Sequence, residues 1–126
     1  MSDKNTNRVN WFEIAVDDIA RATAFYEQVL GVTLDPLEAG GMKMAWFPRP
    51  ENAPGSSGGL VQAPGRTPSH DGTVVFFTVP DIDSALVAVE ANGGRVVMPK
   101  AGGGEHGSIA HFEDCEGNLV ALFSST

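Results

Sequence analysis

Two titratable side chains and a handful of rings carry what chemistry this chain offers. Glu13 sits in Trp11-Phe12-Glu13-Ile14-Ala15-Val16, and His111 in Ser108-Ile109-Ala110-His111-Phe112-Glu113. Both runs alternate with the two-residue period of a strand, which sends successive side chains to opposite faces. Phe12, Ile14 and Val16 then suit a helix-facing side, leaving Trp11, Glu13 and Ala15 on the other. If Phe112 also faces a helix layer, His111 looks into the same space as Glu13. A carboxylate stripped of water there would serve as a general base, whereas a hydrated one paired with an arginine would be a rim residue. An imidazole titrates near neutrality and suits proton transfer, although a lone strand histidine is more often simply hydrogen-bonded. Trp11, Trp46 and Phe76, with Met42 and Met44, suit either a wall for a planar or apolar ligand or ordinary core.

Other motifs carry less. Gly102-x-Gly104-x-x-Gly107 has the spacing of a dinucleotide loop, but that loop works by presenting a helix N-terminus to pyrophosphate. Here a strand pattern follows, so a flexible lid with Glu105 and His106 at its tip is the better expectation. Glu105, His106 and His111 match no recognised metal spacing. Cys115 falls in a turn and reads as a bystander thiol, oxidisable if exposed. His70 falls in a linker and carries no argument.

These residues need elements to hold them, and the elements come as a repeat. Val16-Asp17-Asp18-Ile19-Ala20-Arg21-Ala22 is echoed 63 positions later by Val79-Pro80-Asp81-Ile82-Asp83-Ser84-Ala85, with Gly31 echoed by Gly94. Internal repeats set architecture. Asp18 and Asp81 have the chemistry of helix N-caps. After Asp18, Ile19, Ala22, Phe25, Tyr26, Val29 and Leu30 form one apolar stripe that Gly31 ends. After Asp81, Ile82, Ala85, Leu86 and Val89 do the same up to Asn92-Gly93-Gly94. Strands are expected at Val9–Val16, Thr33–Leu37, Met42–Phe47 and Gly58–Gln62, then at Thr73–Val79, Arg95–Lys100, Ser108–Glu113 and Leu119–Ser124. The expected class is therefore α+β: two βαβββ modules whose mixed sheets cup a cavity. Later strands within each module must be largely antiparallel, since no helix separates them. Residues 1–8 read as a disordered arm, 9–62 as the first module, 63–72 as a Pro/Gly linker and 73–124 as the second, all in one domain.

Bulk properties narrow the partners. The chain has 126 residues and a formal net charge of −8, which disfavours nucleic acid and anionic membranes. No apolar run approaches a membrane span, and the first residues lack the apolar core of a secretory signal. A single cysteine suits a reducing cytoplasm.

Three runs together resemble a known family. Asn10 to Asp18, Ala24-Phe25-Tyr26 with Val29-Leu30-Gly31, and Phe112-Glu113-Asp114-Cys115-Glu116-Gly117-Asn118 are similar to the vicinal oxygen chelate superfamily, which includes glyoxalase I, bleomycin-resistance proteins and extradiol dioxygenases. Met44-Ala45-Trp46-Phe47 and Gly107 to Phe112 resemble its branch described as a predicted enzyme related to lactoylglutathione lyase. The resemblance implies paired modules, frequent homodimers, and in many members a divalent ion held between the sheets. It places the metal donors at Trp11, near Gly59 to Val61, at Val74 and at Ala121. An indole has only an N–H, and glycine, valine and alanine side chains offer no lone pair. The reading that follows is a protein with no metal and no cofactor at the usual site. It acts on or binds a small organic molecule between its modules, with Trp11, Trp46, Phe76 and Met44 against the ligand. Glu13 and His111 would act as acid and base if it is an isomerase or lyase. The alternatives are a binding protein that sequesters its ligand unchanged, and an interaction module whose cavity is filled by Trp11 and Phe76.

Overall fold

Asp18 begins the first helix with an extended backbone (φ −133°, ψ 101°), and its carboxylate accepts from the Arg21 amide. That bond satisfies one of the amides a first turn leaves free. The helix, α1 (Ile19–Leu30), buries Ala22, Phe25, Tyr26 and Val29 along one stripe. Full burial of rings such as these contributes roughly 1.5–3 kcal/mol apiece. Gly31 stops the helix at φ +67°, a left-handed position that glycine adopts without strain. The second helix, α2 (Ile82–Ala91), repeats the design, with Asp81 accepting from the amides of Asp83 and Ser84.

The computed structural model describes residues 7–126; of the expected N-terminal arm, residues 1–6 lie outside the described part. The first module supplies β1 (Trp11–Ala15), β2 (Asp35–Ala39), β3 (Met42–Trp46) and β4 (Ser57–Gln62). The second supplies β5 (Phe76–Thr78), β6 (Arg95–Gly102), β7 (Ser108–Glu113) and β8 (Leu119–Ser124). The sheets run β1-β4-β3-β2 and β5-β8-β7-β6. In each, the first strand pairs parallel with the last, and the rest are antiparallel. The expected α+β class and the two βαβββ modules are what the chain forms.

Most strand ends shift by one to three residues from the expectation, and two of the shifts have visible reasons. The second strand begins at Asp35 rather than Thr33 because the Leu34 amide donates to the Glu27 carboxylate at 2.9 Å, not to the ladder. The fifth is only three residues long, although Val75 already accepts from the Ala121 amide at 2.9 Å.

Both helices pack on one face of the sheets and against each other. On that face Phe12, Phe47, Phe77 and Tyr26 form a hub of rings 5.3–5.9 Å apart that joins the two modules. The last turn clamps them a second time. Asp114 is buried and accepts from Tyr26 Oη (2.6 Å), Asn118 Nδ2 (3.1 Å) and the amides of Glu116 and Asn118. Glu116 accepts from the amides of Asp17 (2.6 Å) and Asp18 (3.0 Å) and from Arg21 Nε. Asn118 Nδ2 reaches the Ala15 carbonyl at 2.8 Å. The second module's turn thus caps the entrance to the first module's helix. The opposite, open face of the sheets carries the candidate site.

Candidate functional site

The open face of the first sheet is built around two indoles. Trp11 on β1 and Trp46 on β3 lie on either side of β4, their rings 5.1 Å apart and inclined at 72°. Trp46 stands opposite Gly59, where a Cβ would come within 2.8 Å of its ring. Glycine at 59 is therefore what lets the indole lie across β4. Its neighbour Gly58 does the equivalent on the other face, where a Cβ would strike Phe12. The Trp46 indole nitrogen is buried and has no hydrogen-bond acceptor among the described residues. Arg49 lies over the same ring, its guanidinium carbon 4.7 Å from the centroid, within reach of a cation–π attraction.

Trp11 borders two cavities. One, of about 850 Å³, opens toward the Pro48–Ser57 loop and is walled by Val9, Asn10, Trp11, Arg49 and Pro54. The other, of about 400 Å³, lies between the modules. Trp11, Glu13 and Ala15 of β1 form one side of it, and Ser69, Thr73, Val75 and Leu119 the other. Trp11 and Val9 are shared walls, so the two spaces meet at the indole.

Glu13 lines the cleft as expected, but it is exposed and ion-paired with Arg66 from the linker. It is the paired carboxylate of the two alternatives, not a lone desolvated one. His111 stands on the open face of the second sheet, opposite Ala121, with its ring 5.9 Å from Phe76. It is not among the residues lining the Glu13 cleft. The structure therefore brings Trp11 and Glu13 to one cleft, with Trp46 packed against Trp11 but bordering neither cavity, and gathers Phe76 with His111 in another region. Phe76 is 52% exposed and borders a further cavity of about 620 Å³, together with Val9, Phe12, Pro54 and Thr73. Met44 pairs between Leu37 and Val61 and lines a separate apolar groove under α1, with Ile19, Ala20 and Thr23. Glu105 and His106 touch only each other, 3.6 Å apart in an exposed turn, and neither lines the two cavities at Trp11.

The residues at the family's donor positions do not fit a metal. Trp11 contributes an aromatic ring, Gly59 an absent side chain, and Val74 and Ala121 hydrocarbon. No group of three His, Cys, Asp or Glu side chains among the described residues is placed to hold an ion.

Elsewhere the titratable groups are engaged in holding the fold. Burial pushes the Tyr26 phenol well above its usual 10.0, with the Asp114 charge and hydrogen bond acting in the same direction. Burial likewise raises the Cys115 thiol to about 12, helped by the charges of Asp114 and Glu116. Burial alone would raise Glu116, but bonds from Arg21 and the Asp17 and Asp18 amides outweigh it and hold its carboxyl below the usual value. Glu113 is held low in the same way by Arg95 and His70, so His70 anchors the linker to the second module. Sequence reasoning passed over both Arg49 and Arg66. The signal for Arg49 was its place between Pro48 and Pro50, three residues beyond a tryptophan; Arg66 gave none.

A model of the glyoxalase/bleomycin resistance protein/dioxygenase superfamily matches residues 8–122. Among solved structures, a glyoxalase I mutant from Zea mays superposes with a TM-score of 0.73 at 21% identity, covering 92% of this chain and 45% of that one. The present chain thus spans under half the length of the maize protein. A glyoxalase/bleomycin resistance protein from Albidiferax ferrireducens T118 gives 0.73 at 16% identity, covering 95% and 100%. A glyoxalase family protein from Bacillus cereus gives 0.72 at 19%, covering 98% and 97%. No curated protein matches the chain significantly. No helix among the described residues is long and apolar enough to cross a membrane.

Proposed function

This chain belongs to the glyoxalase/bleomycin resistance protein/dioxygenase superfamily, and from that premise we propose that it holds a small organic molecule against Trp11, which Trp46 supports from behind, without a metal at the family's usual donor positions. The observation that carries the reading is the exchange at position 11, where a ring bordering two cavities stands in place of a chelating side chain. Ring faces bind planar and apolar ligands by area and dispersion, and small-molecule pockets are commonly lined this way. Reversible binding, with the ligand released unchanged, is the function this arrangement supports best.

Acid–base turnover is a second reading, favoured by one observation: Glu13 lines the same cleft as Trp11. A substrate that drew Arg66 away would meet a carboxylate beside the indole, and isomerase or lyase chemistry would follow from proton transfer there. His111 would have to serve as the partner group from the second sheet. The same proposal takes residues 9–126 as one domain, its modules 9–62 and 73–124 joined by 63–72. It also includes homodimerisation and a cytoplasmic location.

Incubation with a panel of planar organic compounds, followed by dialysis and mass analysis, tests both readings. Stoichiometric recovery of unaltered ligand, lost in a Trp11→Ala/Trp46→Ala variant that stays folded, is the expected result. Product formation that disappears in Glu13→Gln would transfer the case to catalysis. Retention of every ligand by the double variant would dismiss the indole wall.

A further inference from the structure

The larger cavity at Trp11 contains a guanidinium that no carboxylate among the described residues neutralises. Arg21, Arg66 and Arg95 are each paired with a glutamate. Arg49, among the described residues, has neither an ion pair nor a hydrogen-bond acceptor, in a chain with twice as many acidic as basic residues. Its guanidinium carbon lies over the Trp46 ring, 4.7 Å from the centroid. A cation–π contact uses none of the guanidinium N–H groups as hydrogen-bond donors to an acceptor atom, and a guanidinium with free N–H groups can grip a carboxylate with two parallel bonds.

The surroundings fit the same ligand. Among the described residues no aspartate or glutamate lines this cavity; Glu51 lies nearby in sequence but not in the wall. Asn10, Asn52, Ser56 and Ser57 supply neutral polar groups that do not repel an anion. Pro48 and Pro50 flank Arg49, fixing their own backbone and holding the residue before Pro50 extended. Much of the cost of ordering this cation is thus met before any ligand arrives. Trp11 forms the apolar wall of the same space.

We propose that this cavity takes an aromatic carboxylate, its ring against Trp11 and its carboxylate on the edge of Arg49. The proposal names a ligand class for the site above, and so rests on the reading of Trp11 and Trp46 as a binding wall. Trp46 acts here as a positioning residue, holding the guanidinium by its face.

Calorimetric titration with 2-naphthoate and with the neutral, isosteric 2-naphthamide separates the two layers. The acid is expected to bind at least about tenfold tighter than the amide, with the advantage shrinking as salt is added. Arg49→Gln, a change at an exposed position, should erase that advantage and leave amide affinity unchanged. Arg95→Gln, on the second module and away from both cavities, should leave the preference intact. Equal binding of acid and amide, or a preference that survives Arg49→Gln or vanishes in Arg95→Gln, overturns the carboxylate assignment while leaving the indole wall standing. If neither compound binds, both fail.

Discussion

The two faces of strand β4 show how one stretch of chain meets opposite demands. On the helix-facing side, Gly58 makes room for Phe12, which closes into the ring hub with Phe47, Phe77 and Tyr26. Polar groups on that side are matched, with Asp114 satisfied by four donors. On the open side, Gly59 makes room for Trp46, and among the described residues two polar groups are left over: an indole N–H without an acceptor and a guanidinium without an anion. Buried polar groups are normally paired, and unpaired ones call for an explanation. The difference teaches that the helix-facing side is closed by the chain's own groups, whereas the open side keeps one buried donor, the Trp46 N–H, without a partner among the described residues, which is where the proposed ligand site lies.

The largest expected effect comes from breaking the finished side. Asp114→Ala would strand Tyr26 Oη and the Asn118 amide and loosen the turn that caps α1. A loss of about 2–5 kcal/mol is expected by chemical denaturation, since each buried donor left without its acceptor costs about 1–3 kcal/mol. A loss below about 1 kcal/mol would mean the turn is no clamp.

The glycine pair sharpens the comparison within two adjacent residues. Gly58→Ala should cost roughly 1–3 kcal/mol of stability, because the new methyl meets the Phe12 carbonyl and ring. Gly59→Ala should cost less and act on the site instead, shifting Trp46. The chain's two tryptophans both belong to this wall, so intrinsic emission reports on it alone. If Gly59→Ala destabilised as much as Gly58→Ala with unchanged emission, the two faces would not be separable.

Alkaline pH gives the smallest effect, again on the finished side. Folding raises the Tyr26 phenol above 10.0 and the Cys115 thiol from 9.0 to about 12. Above those ordinary values the unfolded chain releases protons that the folded chain keeps, so stability falls as pH rises. For Cys115 the loss runs between about 9 and about 12. The unfolding midpoint should drop across that window, and less so in Cys115→Ala. Alkylation of the folded thiol should be much slower than in urea; equal rates would contradict its placement.

The sequence made the architecture legible because the repeat, the Asp caps and the alternating strands are local signals. It also showed that Trp11, Val74 and Ala121 lack lone pairs, since that depends on residue type alone. What stayed hidden required long-range geometry. Glu13 met Arg66 from 53 positions away, and His111 came to rest by Phe76 rather than in the Glu13 cleft. Met44 shared the strand face of Trp46 but ended in a different groove, because alternation assigns a face and not a cavity. Arg49 looked like loop filler until the fold laid it on an indole.

The account stands on the claim that this open face binds through ring surface and not through a chelated ion. Titration of 2-naphthoate into the purified protein, with and without excess chelator and with metal content measured on the same sample, tests it most directly. The expected result is one affinity in both conditions and no stoichiometric metal. One ion per chain, with binding abolished by the chelator, would contradict it.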